Sequence, residues 1–600
     1  MGRLNQPRLV AMAVLIFILV VVFNRRLEPS YGSVAPVDEI EETNGYKDDF
    51  LDKNVLNRNG EKLKTAPKLI ISDEVTKDML RAMDKKQAKC PDYVDYSSVA
   101  HGPLSSGKHR YPYMRPAPKC RTFSSEAVEL LIAELKKRVE DVDLGRLIEN
   151  TLPNTLDSTI LWHLDEKQGG TRGPQSFVVT GDIHAEWLRD AARQLSVYQP
   201  LVKYDTKLRT LIKGAINTQA EFLNSSPYCN AFQPPIGSGI KKKDPSIDHV
   251  IPRPDWRRVF ECKYEVDSLA SFLTLSNEYY DNSDGGDTSF INYKWMAALE
   301  KLLIVVKREM IPSFNKDNGE AMGFYYVFQR NTNIGSETLP LAGTGNPVNY
   351  GTGLVRSAFR PSDDACILQF FIPGNIHLLT ELKRMRRTYF NQDKLPEFNI
   401  ELFTSNIDFL IKKITKGIET YGIVDHPVHG KVYAYEVDGY GGNIFMDDAN
   451  IPSLLAIPDM GFGELDDPVY QNTRKMILSK SGNPYYLKGK FFKGIGGPHV
   501  GVHNAWPMSL LVGIRTTNDD DEIINNLNLV MATTGGLGLM HETVHVGSEG
   551  GYQYTRPWFA WCNSEFGKTI LHLAKHKPHL IFKDEYKNEP FDIHKIIKKQ

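Results

Sequence analysis

From Ser125 onward, apolar residues recur with helical spacing. Val128, Leu131, Ile132, Leu135 and Val139 fall at i, i+3, i+4, i+7 and i+11, the stripe that one face of a helix turns toward a core. The same patterning predicts helices at roughly 186–198, 207–223, 265–280, 294–309, 364–384, 401–418, 467–480, 504–513, 521–532 and 556–574. The links between them are long and rich in Gly, Pro, Asn and Asp, with strand-like stretches at 323–329 and 431–437 that read as hairpins in the loops. About a dozen helices joined in this way predict an all-α-dominated toroid of paired helices, its site built from the loops at one end.

The pattern changes toward the N-terminus. Residues 9–23 form an uncharged apolar run flanked by Arg3, Arg8, Arg25 and Arg26. As a helix the run would reach ~22 Å, against a hydrocarbon core of about 30 Å. It reads as a short signal-anchor span with its flanking arginines snorkelling. The expected layout is a cytoplasmic tail (1–8), the span (9–23), a charged stem poor in aromatics (24–85) and a lumenal barrel (86–600). That makes a single-pass type II protein of the secretory pathway, placed in the Golgi because short spans suit thinner membranes. The six cysteines fit a lumenal setting. Cys90 and Cys120 bracket a stretch that a disulfide could staple, Cys229 and Cys262 could form a second, and Cys366 and Cys562 sit in apolar contexts. Connectivity stays open at this level. Asn224-Ser225-Ser226 is a glycosylation sequon.

A formal net charge of −1 over 600 residues lacks the basic field of a nucleic-acid binder. The hydrophobic content, 41%, suffices for a large core, and the chain holds seven tryptophans. Their rings are stacking faces for sugars in one setting and plain core in most. The stretch His541-Glu542-Thr543-Val544-His545 matches the zinc-peptidase pattern H-E-x-x-H. Zinc ligation by that motif needs both histidines on one helical face. Gly535, Gly536 and Gly538 precede it, Gly547, Gly550 and Gly551 follow, and Thr543 and Val544 are β-branched, all of which oppose a helix. The stretch therefore reads as a loop or strand edge.

Chemistry-bearing residues gather in a series of short segments. They are Thr180 to Asp190, Phe260 to Ser268, Phe359-Arg360-Pro361-Ser362-Asp363-Asp364-Ala365, Tyr435 to Gly439, Met446-Asp447-Asp448-Ala449-Asn450, Gly494 to His499, Trp506-Pro507-Met508, Met540-His541-Glu542 and Tyr554 to Trp561. Each mixes charge, aromatic and turn residues near a helix end. Carboxylates and arginine can bind paired hydroxyls while indoles cover the apolar face of a sugar. Some of the aspartates also fit plain helix capping.

In this order, from about Ala127 through Leu152-Pro153-Asn154-Thr155-Leu156-Asp157 to about Leu573, the segments resemble glycoside hydrolase family 125, the metal-independent exo-α-1,6-mannosidases. The likeness is to a membrane-anchored eukaryotic member of fungal type. The resemblance implies an (α/α)6 barrel with long loops and small β-hairpins at the site end. It also implies hydrolysis of terminal α-1,6-linked mannose with inversion, no metal and no cofactor, and a mannose-containing glycan or mannan as substrate. It puts the general acid at Asp363 or Asp364 and the general base at Glu542. Trp187, Arg189, Asp190, Glu265, Asp267, Arg360, Asp447, Asp448, His499, His541 and Arg556 become candidate substrate contacts. Trp558 and Trp561, three apart, are expected to share a helix face. The sequence departs from the family pattern at 547–551, which is long, at Cys262, where a basic residue is expected, and at 501–503. The competing readings are a zinc metallopeptidase at His541, Glu542 and His545, and a glycan-binding barrel without turnover.

Overall fold

The structure is a computed structural model that describes residues 90–597. The predicted tail, span and stem lie outside the described residues. Among the described residues no helix is long and apolar enough to cross a membrane.

Twelve helices of nine residues or more carry this part of the chain: α1 (Glu126–Arg138), α2 (Val142–Thr151), α3 (Leu188–Ser196), α4 (Thr206–Ser225), α5 (Val266–Asn282), α6 (Tyr293–Arg308), α7 (Ile372–Thr388), α8 (Glu401–Gly417), α9 (Pro468–Ile477), α10 (Pro507–Arg515), α11 (Asp520–Met531) and α12 (Ala560–His576). Burial sorts them into two rings. Every residue of α3 and α10 is buried. In α8 only Phe403, Asn406, Ile407, Leu410, Ile414 and Gly417 are, a single stripe at helical spacing. Helix α3 packs against α5 and α12, α5 against α7, and α12 against α10. Between α7 and α10 the ring is completed by an irregular run of turns at 451–460 instead of a helix. Asp459 pairs with Arg515 of α10 at 2.9 Å, and Gly461 lies against Thr380 of α7. Helices α4, α6, α8 and α11 pack on the outside of this ring. The result is the expected (α/α)6 barrel, with one inner position filled by turns.

The two rings start their helices differently. On the outside Ser125, Asp141, Asp205, Asn292, Asp467 and Asp519 cap α1, α2, α4, α6, α9 and α11 through side-chain oxygens, the ordinary way to satisfy orphan N–H groups. None of the inner helices α3, α5, α7, α10 and α12 has a side-chain cap. Three of them follow a two-residue strand instead. Glu186–Trp187 pairs with Ala231–Phe232, which pairs with Val259–Glu261. Phe370–Phe371 pairs with Glu436–Val437, and Asn504–Ala505 with Val544–His545. These strands displace the expected starts. The helix expected at 364 begins at Ile372, and the one expected at 504 begins at Pro507. Extended pairing claims the residues ahead of each helix, because that is where the loops are tied together.

Two further expectations change. The stretch 323–329 does not form a local hairpin; Val327–Arg330 pairs with the distant Asp248–Ile251. Helix α2, absent from the sequence reading, is capped by Asp141 and buries Leu144, Leu147 and Ile148. Disulfides join Cys90 to Cys120 and Cys229 to Cys262, while Cys366 and Cys562 are buried free thiols. In the sequon, the Asn224 side-chain amide donates to the Lys294 carbonyl at 2.8 Å.

Candidate active site

Trp187, Trp506 and Phe559 occupy the N-cap positions of α3, α10 and α12. All three line one cleft, with Trp561 from the first turn of α12 beside them. The cleft therefore lies at the N-terminal ends of the inner helices, where peptide dipoles favour negative charge. The indole N–H groups of Trp187 and Trp506 are buried and find no partner among the described residues, a state buried donors rarely keep. Trp558, expected to share a helix face with Trp561, precedes α12. It packs with Met114, Leu537 and Leu539, its ring against Gly181. The helix starts two residues later than the spacing argument needs, so the pair splits between core and cleft.

Arg189, in the first turn of α3, organises the charged wall. It is buried, and its guanidinium donates to Glu265 Oε2 at 2.6 Å, Asp267 Oδ2 at 3.1 Å and Asp363 Oδ1 at 3.4 Å. Trp561 covers it, ring centre 5.7 Å away. Glu265 is the N-cap residue of α5, and Asp267 sits in that helix's first turn. Both are fully buried behind Arg189, outside the cleft lining.

The two adjacent aspartates face different ways. Asp363 lines the cleft with 24% of its side chain exposed, whereas Asp364 keeps 1%. Asp363 adopts φ +66°, a left-handed conformation that Asp tolerates better than most residues. The turn is held from three sides. Its N–H donates to the Arg360 carbonyl at 2.9 Å, the Arg360 N–H donates to the Asp364 carbonyl at 2.9 Å, and the buried Lys263 ammonium donates to the Asp363 carbonyl at 2.8 Å. Neither aspartate is a helix cap, since α7 begins eight residues after Asp364. Burial alone would raise the Asp363 carboxyl. Lys263 and Arg189 outweigh it and, with a hydrogen bond to Glu265, hold Asp363 down to about 2. Glu265 is pushed far the other way by burial, against the pull of Arg189. Of this coupled pair, Glu265 is the member that keeps a proton. Burial also raises Asp364, against the pull of His499 3.9 Å away.

On the remaining wall Glu542 accepts from Thr555 Oγ1 at 2.7 Å and lies 3.3 Å from Arg556 Nε. Arg556 also donates to Asp182 at 2.7 Å. Asp190 lines the cleft within the electrostatic reach of both Asp363 and Glu542. Burial lifts it to about 7, against the pull of Arg189.

The segment 541–545 is non-helical and ends in the strand Val544–His545. It lacks the helical face that zinc ligation by this motif requires. His541 stacks on Tyr554 at 4.0 Å and donates from Nδ1 to the Arg556 carbonyl at 3.0 Å, and burial lowers it to about 4. His545 stacks on His503.

The other candidates divide between cleft and support. His499 and Arg556 line the cleft. Arg360 is buried beneath the loop, paired with Glu436 at 2.9 Å, and Glu436 also accepts from the Ile367 and Leu368 N–H groups. Asp448 accepts from Ser362 Oγ at 2.5 Å and so braces the Asp363 turn from behind. Asp447 is used up as a cap. It accepts from the Leu454 and Leu455 N–H groups at 2.8 and 3.0 Å, at the start of the turns that replace the inner helix. Thr180, Ile183, Asn450 and Phe559 line the cleft without having been singled out, and Lys263 and Asn230 hold the Asp363 turn. No basic residue stands at 262, where one was expected; Lys263 is the next residue. Cys262 itself serves in the disulfide.

A family model described as metal-independent α-mannosidase (GH125) matches residues 141–571. The chain is 52% identical over 496 residues to the Meiotically up-regulated gene 157 protein of Schizosaccharomyces pombe, covering 82% of this chain and 94% of that one. It also resembles the solved structure of a metal-independent α-mannosidase from Streptococcus pneumoniae in a non-productive complex with α-1,6-mannobiose. The TM-score is 0.66 and the identity 33%, over 75% of this chain and 98% of that one.

Proposed function

The chain belongs to the GH125 family of metal-independent α-mannosidases, and on that premise we propose that it removes terminal α-1,6-linked mannose from glycans with inversion, Asp363 acting as general acid and Glu542 as general base. One observation carries the reading: Asp363 and Glu542 come from different loops into one cleft lined by Trp187, Trp506, Phe559 and Trp561. An inverting glycosidase needs a proton donor at the leaving oxygen and a second carboxylate, about 6.5–9.5 Å away, to activate water on the opposite ring face. In the proposed step a water oxygen attacks the anomeric carbon while Glu542 accepts its proton. The bond to the glycosidic oxygen breaks, and that oxygen takes a proton from Asp363. The product sugar leaves as β-mannose.

Asp363 is favoured over Asp364 because only Asp363 reaches the cleft. An acid must hold a proton, and before sugar binds the hydrogen-bonded Glu265 keeps it. Sugar binding would strip water from the exposed part of Asp363 and disfavour its ionised form, drawing that proton across. Asp190 would hold mannose hydroxyls, and the Trp187 and Trp506 indoles would donate to others. The two disulfides fit an oxidising compartment, consistent with a membrane-anchored enzyme of the secretory pathway, in the Golgi, acting on mannose-rich glycans.

The test is proton NMR of α-1,6-mannobiose hydrolysis by the intact protein. Early appearance of β-mannose is expected. Initial α-mannose would overturn the inverting assignment, and absence of turnover would overturn the substrate.

A further inference from the structure

Between the strands Ala231–Phe232 and Val259–Glu261 the chain carries Lys241, Lys242, Lys243, Arg253, Arg257 and Arg258 against Asp244, Asp248 and Asp255. Two of the three acids are already engaged. Asp248 accepts twice from Arg330 at 2.8 Å, and Asp255 accepts from Arg257. Lys241, Lys242 and Lys243 are exposed, and none has a carboxylate within ion-pair distance among the described residues. The Lys242 ammonium donates to the Arg257 carbonyl, which sets it among other cations. A chain of net charge −1 has thus gathered an uncompensated positive field on one loop.

That loop is sewn to the cleft. Gln233 Nε2 donates to the Lys243 carbonyl at 2.8 Å, and the Ser246 N–H donates to the Phe260 carbonyl at 2.9 Å. The Phe260 ring packs edge-on against Trp187, centroids 5.6 Å apart. The three-stranded ladder from 259–261 through 231–232 ends at Trp187, a cleft wall. His184, next to the cleft-lining Ile183, lies within the field of Lys243.

We infer that Lys241, Lys242 and Lys243 form a rim subsite for an anionic group, a phosphate ester or a carboxylate, carried by the glycan outward of the terminal mannose. The inference deepens the mannosidase reading and rests on it. Three cations at about 10 Å from a dianion in water, screened over about 8 Å at physiological salt, should favour an anionic substrate roughly tenfold at low salt and much less at high salt.

Two measurements separate this inference from the reading beneath it. Turnover of neutral α-1,6-mannobiose tests the reading alone. Calorimetric titration of the intact Glu542→Gln protein with neutral mannobiose, and with mannobiose carrying a phosphomonoester on its reducing-end sugar, tests the rim even where turnover fails. The expected result is about tenfold tighter binding of the phosphorylated sugar at low salt. The advantage should collapse as salt rises and vanish when Lys241→Gln, Lys242→Gln and Lys243→Gln are added together, with neutral-sugar affinity unchanged. Equal affinities, weaker binding of the phosphorylated sugar, or an advantage that survives the triple substitution would overturn the inference.

Discussion

Replacing Glu265 by glutamine isolates the step by which the acid acquires its proton. Asp363 is held to about 2 because Lys263 and Arg189 outweigh the cost of its burial, with Glu265 hydrogen-bonded to it. Glu265 is raised, chiefly by burial. The sign follows from the two directions. Asp363 alone is ionised at any pH above about 2, whereas the pair still holds one proton at much higher pH, on Glu265. A lone carboxyl of that pKa is protonated in roughly one molecule in 10⁴ near pH 6, a deficit of about 5.5 kcal/mol. Glutamine keeps the size and a hydrogen bond, but it removes the proton store and leaves more of the Arg189 charge to stabilise ionised Asp363. With α-1,6-mannobiose, whose leaving oxygen needs protonation, kcat should fall about 10²–10⁴-fold, the usual span of general-acid assistance. With a dinitrophenyl α-mannoside, whose leaving group needs none, the loss should stay under about tenfold. The upper limb of the kcat/KM profile should also move to lower pH for mannobiose. A Glu265→Gln enzyme that hydrolyses mannobiose within about threefold of the parent and keeps its upper limb would refute the shared-proton argument.

Glu542→Gln should abolish turnover of both substrates while calorimetry still detects mannobiose binding and the denaturant midpoint stays put; near-normal rates would remove it as base. Asp363→Asn should be far more damaging than Asp364→Asn in mannobiose kcat, because only the first faces the cleft; equal losses would contradict the assignment. Arg189→Met strands ionised Asp363 and buried Asp267 without their cation and should cost about 3–5 kcal/mol in urea unfolding. Adding Asp363→Asn should recover part of that loss, and strict additivity would show that the charges are not coupled. Cys229→Ser with Cys262→Ser opens a loop of sequence separation 33 and should cost about 3–4 kcal/mol by the chain-entropy relation, read as a lower unfolding midpoint.

The helical periodicity of α1 comes from an outer helix whose buried Val128, Leu131, Ile132 and Leu135 follow a Ser125 cap, so both signals stand in the sequence. Helix α8 carries a similar single stripe, whereas α4 buries 214–220 without a break and α2, although capped by Asp141, is absent from the sequence reading. Inner helices such as α3 and α10 are buried on all sides, so their starts carry no periodic mark, and the sequence reading began them on residues that are in fact paired strands. At the site, residue type located the segments correctly but could not distinguish faces. Asp363 and Asp364 are chemically identical, and only the left-handed turn at Asp363 sends one to the cleft and the other inward. Asp447 shows the converse case, an acid in a chemistry-bearing segment whose oxygens are taken by backbone N–H groups.

The aromatic residues that begin α3, α10 and α12 tie the shape of the mouth to the phase of the inner ring. A helix turns about 100° per residue. Deleting or inserting one residue inside an inner helix would swing its leading ring out of the cleft or break the packing of every turn behind it. A residue added at the tip of 498–503 or 547–552 lies beyond the Asn504–Ala505 and Val544–His545 ties and disturbs neither. Length variation among descendants of this barrel should therefore accumulate at those tips, where new glycan preferences can arise, while the inner helices keep a fixed residue count.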